Sequence, residues 1–156
     1  MSAFPSFGQQ NAGMGQSDRV AAVQALVALS RSSDFLNRQD AGVAFARLAD
    51  SEIAATRLRE LILDPEDTSV TRTTLEALTR RGDEIGLAII ATALTSADDN
   101  HADWVASGVA DGLAMSESAR RQTLGICQQL EDRRSRATQR GVLALRAMLA
   151  DAGPIH

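Results

Sequence analysis

The sequence predicts an all-α protein, a right-handed α-solenoid of about eight helices arranged as antiparallel pairs. Three observations carry this expectation. Ala (27) and Leu (17) dominate the 156 residues, aromatics are 3%, Tyr is absent and Pro is only 3; strands would want the β-branched and aromatic residues that are scarce here. From Ser17 onward apolar residues recur at helical spacing without a break. The chain also matches itself at a shift of about 32–35 residues, a solenoid period. With 44% apolar and 23% charged residues, one domain over residues 17–152 is expected, between a flexible arm at 1–16 and a tail at 153–156.

The arm is Gly-, Gln- and Ser-rich and lacks both the charged start and the apolar run of a secretory signal. It carries Phe4 and Phe7, two of the few aromatic residues. Ser17 can cap a first helix with Val20, Val23, Leu26 and Val27 inward, broken at Arg31–Asp34. A second helix starts at Asn37 or Asp40, with Val43, Phe45, Ala46, Leu48 and Ala49 as its apolar positions. Ser51 caps a third, where Ile53, Ala54, Leu58, Leu61 and Ile62 share a face. Proline at 65 disfavours helix at Asp64, so the chain stops there and restarts as a fourth helix over Thr68–Arg80. Gly82 and Asp83 make a corner, Gly as a left-handed C-terminal residue and Asp as the next cap. The fifth helix, Glu84–Ser96, is apolar on nearly all sides and must be central. Asp98–Asn100 opens a sixth with Trp104, Val105, Val109 and Leu113 inward, and Ser116–Ser118 a seventh that includes Cys127 and Leu130. The eighth carries Val142, Leu145, Met148 and Leu149 and ends at Gly153–Pro154. Such short connections imply antiparallel neighbours throughout.

The internal repeat aligns Glu52–Asp67 with Glu84–Asp99: Ile53 falls on Ile85, Leu58 on Ile90, Ile62 on Leu94, Glu66 on Asp98 and Asp67 on Asp99. Beyond it Val70 and Leu78 are answered by Val105 and Leu113. The stretch LDPEDTSVTRTTLEALTRRGDEIGLAIIATAL resembles the HEAT-like repeats of the phycobilisome-lyase type, through Asp64, Pro65, Val70, Arg72, Ala77, Leu78, Gly82 and Asp83. Thr71 departs from the pattern by separating Val70 from Arg72. The resemblance covers residues 48–113 and implies a stack of helix pairs; it says little of function, because one fold hosts many. Tetratricopeptide repeats want Tyr, and armadillo grooves want an Asn ladder, and neither is present.

Chemistry is sparse. All 16 basic residues are Arg, which removes Schiff-base and P-loop lysine chemistry and, with the Ala-rich make-up, points to a GC-rich bacterial genome. Cys127 is the only cysteine and lies among apolar neighbours, so a buried, inert thiol is expected. His101 has Asp98, Asp99 and Asp103 around it, but acids at a helix start are explained by the helix dipole, and no metal is assigned. No nucleophile–base arrangement is evident, so no catalytic residue is assigned, no cofactor is implied and the protein is read as a non-enzyme. The net charge of -4 disfavours nucleic acid, although Arg133, Arg134, Arg136 and Arg140 form a basic cluster. No stretch approaches the ~20 apolar residues of a spanning helix, so a cytoplasmic protein without a membrane partner is expected.

The function expected is therefore protein–protein interaction: an adaptor, inhibitor or accessory subunit. Two surfaces are candidates. One is an acidic edge at the helix corners, Asp83, Glu84, Asp98, Asp99 and Asp103, suited to a basic partner. The other is a concave face with Arg57, Glu60, Thr92, Thr95, Arg121 and Gln128. The alternatives are a lyase or cofactor-handling protein, which the resemblance alone implies, and nucleic-acid binding at the Arg cluster. Closure of the open ends by homodimerisation is compatible with the pattern.

Overall fold

The computed structural model describes residues 7–113, 116–133 and 136–151. These form eight helices and, among the described residues, no strand: α1 Phe7–Ser30, α2 Phe35–Arg47, α3 Glu52–Ile62, α4 Thr68–Arg81, α5 Glu84–Leu94, α6 Asp99–Gly112, α7 Glu117–Arg133 and α8 Arg136–Asp151. Phe4, Arg134 and His156 lie outside the described residues.

Helix starts follow side-chain chemistry. Asp34, Asp67, Asp83 and Asp98 each accept a backbone N–H in the first turn of the helix that follows, satisfying donors that have no intrahelical partner. Gly82, at φ 68, ends α4 in the left-handed region. Two expectations are corrected here. The second helix begins at Phe35, because Asp34 is its cap and not part of the break. The first begins at Phe7, so helical backbone enters the segment expected to be an arm.

The packing forms two rows. α4 lies between α2 and α6, while α3 packs on α1 and α5, and α5 on α7. α5 also meets α4 and α8, and buries Leu87, Ile89, Ile90, Ala91, Ala93 and Leu94. Sequential neighbours are not adjacent throughout, as short connections implied: α5 and α6 barely touch, and α8 takes the flank of α5 instead. Gly141 is what admits it, since a Cβ there would overlap the backbone of Ala91. The core joins Phe45, Leu58, Ile62, Leu75, Leu78, Leu87, Ile90, Leu130, Leu145 and Leu149. Val20, Val43, Ile53 and Trp104, expected inward, are exposed. Val20 stands on the N-terminal half of α1, which is exposed from Gly15 to Ala22, and Trp104 sits about 100° round α6 from Val105.

Candidate functional site

The site is built on a buried ion pair. The Arg38 side chain on α2 and that of Asp64 in the α3–α4 turn are only 8% and 6% exposed, with Nε to Oδ2 at 2.8 Å. Asp64 Oδ1 accepts the backbone N–H groups of Glu66 (3.0 Å) and Asp67 (2.8 Å), which fixes the turn. Arg38 also donates to the carbonyl of Ser32 at 2.9 Å, tying α2 to the α1–α2 corner. The hydrogen bond that Arg38 donates to Asp64 raises the Arg38 pKa further, against the opposing effect of burial. Two chain corners and two helices are thus held by one guanidinium.

A cleft of about 370 Å³ opens above this pair, lined by Arg31, Ser32, Ser33, Arg57, Glu60 and Glu66 among others. A second groove, about 280 Å³, runs between α3 and the C-terminal end of α5, past Thr56, Arg59, Glu60, Leu63, Thr92 and Thr95. Glu60 belongs to both. Its carboxylate takes a 2.6 Å hydrogen bond from Arg57 across one helical turn. The groove hydroxyls are spoken for as donors: Thr56 gives its proton to the carbonyl of Glu52, Thr92 to that of Ala88, and Thr95 to that of Thr92. Thr56 Oγ1 already accepts from Arg59 at 3.2 Å, whereas the lone pairs of Thr92 and Thr95 remain available as acceptors. A third concavity, about 210 Å³ and mostly apolar, lies between α1 and the start of α3, with Val20, Val23 and Ile53.

Of the concave-face residues, Arg57, Glu60, Thr92 and Thr95 therefore come together around the two clefts. Arg121 and Gln128 are exposed on α7 and line neither. The acidic residues are less free than their sequence run implies. Asp83 caps α5 and meets Arg81 at 2.7 Å, Asp111 meets Arg72 at 2.6 Å, and Glu117 meets Arg120 at 2.8 Å. The Arg120 hydrogen bond holds the Glu117 carboxyl below the usual range. Asp83 and Glu84 start α5, whereas Asp98, Asp99 and Asp103 lie past its far end; eleven helical residues, about 16 Å, separate the groups. They form two acidic spots and not one strip.

His101 is turned inward from α6. Nδ1 lies 2.8 Å from Asp98 Oδ1 and Nε2 lies 3.3 Å from the Asp64 carbonyl. Among the described residues no group of three or more His, Cys, Asp or Glu is placed to hold a metal ion. Cys127 is fully buried, and burial pushes its thiol up to about 11. No helix in the described residues is long and apolar enough to cross a membrane.

What sequence reasoning missed is Arg38. Nothing in its neighbourhood marks it as buried; the only available hint was Asp64, whose place before Pro65 marked a turn that needs a carboxylate cap. No family model matches the chain, and no curated protein or solved structure matches it.

Proposed function

We propose that the protein is a non-enzymatic binding module, a short α-solenoid whose α3–α5 side holds a protein segment or peptide. The observation that carries this reading is the junction at Glu60, where the α3–α5 groove meets the cleft above Arg38 and Asp64. The groove offers the hydroxyls of Thr56, Thr92 and Thr95, each already donating to a backbone carbonyl, and the Glu60 carboxylate, beside the Arg59 guanidinium that donates to Thr56. Such a surface suits a partner rich in N–H donors, such as an extended backbone with Asn, Gln or basic side chains. The solenoid reading is supported by recurrence: α3 and α5 are both 11 residues long, and α4 and α6 both 14.

The non-enzymatic reading is supported by the state of the reactive groups. The Cys127 thiol is buried with its pKa raised, and both ring nitrogens of His101 face protein oxygens. Peptides selected on the folded protein from a random displayed library test the proposal. Thr92→Arg and Glu60→Arg are each expected to weaken the selected peptides at least tenfold, or about 1.4 kcal/mol, with Gln128→Arg as the silent control. Peptides that survive both substitutions unchanged would place binding elsewhere.

A further inference from the structure

The geometry points to His101 as a proton-controlled latch: doubly protonated, it joins the start of α6 to the α3–α4 turn, and neutral, it releases one of the two. Both atoms that face its ring are acceptors. Asp98 Oδ1, on the cap of its own helix, is 2.8 Å from Nδ1, and the backbone carbonyl of Asp64 is 3.3 Å from Nε2. A carbonyl oxygen carries no hydrogen, and neither does an ionised carboxylate, so both contacts are hydrogen bonds only when both ring nitrogens carry protons. The neutral ring has one N–H. Kept at Nδ1, where the shorter contact and the full negative charge lie, that proton leaves the Nε2 lone pair facing the Asp64 oxygen, and the tie to the turn becomes repulsive.

The charged groups acting on the ring are few. Asp98 and Asp64 both favour the protonated form, against partial burial, and raise the His101 pKa; the Asp98 carboxyl is lowered first by the backbone N–H of His101 and then by the ring contact. The carboxylate of Asp64 is itself engaged by Arg38 of α2, whose Nη2 also lies 3.5 Å from Glu66. On the packed face of α6, Arg72 of α4 is occupied at the other end of the helix by Asp111.

The released element matters because Asp64, Pro65 and Glu66 form one wall of the 370 Å³ cleft. The latch would therefore set how rigid that wall is between mildly acidic and mildly alkaline conditions, whether or not the cleft holds a peptide. His is the side chain whose ordinary titration range makes this a switch near neutrality.

NMR titration of the histidine ring nitrogens in the full chain, with His156→Ala to assign the two signals, tests the first half. His101 is expected to titrate above ~6.5, the unperturbed value. Asp98→Asn, which keeps a good capping oxygen, should lower that inflection towards the unperturbed value. Amide exchange at Glu66 and Asp67, corrected for the intrinsic effect of pH, tests the second half. Protection should fall several-fold as pH rises through the His101 inflection, and His101→Gln should abolish the step. Titration at or below ~6.5, no response to Asp98→Asn, or protection that ignores the inflection would each overturn the latch.

Discussion

Arg38 and Asp64 illustrate a pair whose burial is worth more as organisation than as attraction. Desolvation cancels much of the Coulombic gain, yet breaking such a pair strands a charge at a cost of about 3–5 kcal/mol. Arg38→Met should therefore lower unfolding free energy by about that much in urea titration, while Arg38→Met with Asp64→Asn should recover part of the loss. Recovery is incomplete because Arg38 also donates to the Ser32 carbonyl, a bond that Met cannot replace. Thr71, Thr74 and Thr79 on α4 behave oppositely. Their hydroxyl oxygens are buried without a hydrogen-bond partner, whereas Thr56, Thr92 and Thr123 each donate to the carbonyl four residues back. Thr71→Val should leave stability unchanged or raise it by about 1 kcal/mol, read from the same titration; a loss above that would reveal a partner for the hydroxyl. Cys127 should react with a thiol reagent at pH 8 only after denaturant is added, because the thiolate scarcely forms in the fold.

Helices here approach one another where glycine permits. A Cβ at Gly108 would come within 2.8 Å of Leu75, and one at Gly112 within 2.6 Å of Thr79, so α6 seats closely on α4. Gly141 does the same for α8 on α5, against backbone that cannot yield. Gly125, in the middle of α7, has nothing within 4 Å. Gly141→Ala is thus expected to destabilise by about 3 kcal/mol or more, and Gly125→Ala to stabilise by about 0.5–1 kcal/mol; thermal midpoints moving in opposite directions would check both. Most helix ends were legible, because Asp before a periodic run and Gly after one are local signals with local causes. The internal sequence match does not keep one register in the structure. Caps Asp67 and Asp98 correspond, one residue away from the aligned Asp99, whereas Val70 and Val105 differ by four more. A shift of four is about one helical turn and keeps the same face inward, so apolar matching alone could not detect it.

Across the molecule, α5 is covered by four other helices, and its apolar sequence demanded a cover without naming one. α3, α4 and α7 supply part, and α8 the rest. Val142, Leu145 and Leu149 of α8 are buried, and at roughly 1.5–3 kcal/mol each their removal rivals the ~5–15 kcal/mol that holds a domain folded. A chain ending at Arg133 should lose its cooperative urea transition, not merely shift it; a sharp transition retained would mean α8 is dispensable. Sequence alone settled that this chain is helical, where most of its helices start and stop, and that one of them is interior, because each of those depends on residues a few positions apart. Which helix covers α5, which acids find arginines, and that Arg38 and His101 both reach Asp64 were decided by the tertiary structure. Those contacts span 26 and 37 residues, and no local rule relates positions so far apart until packing brings them within hydrogen-bonding distance.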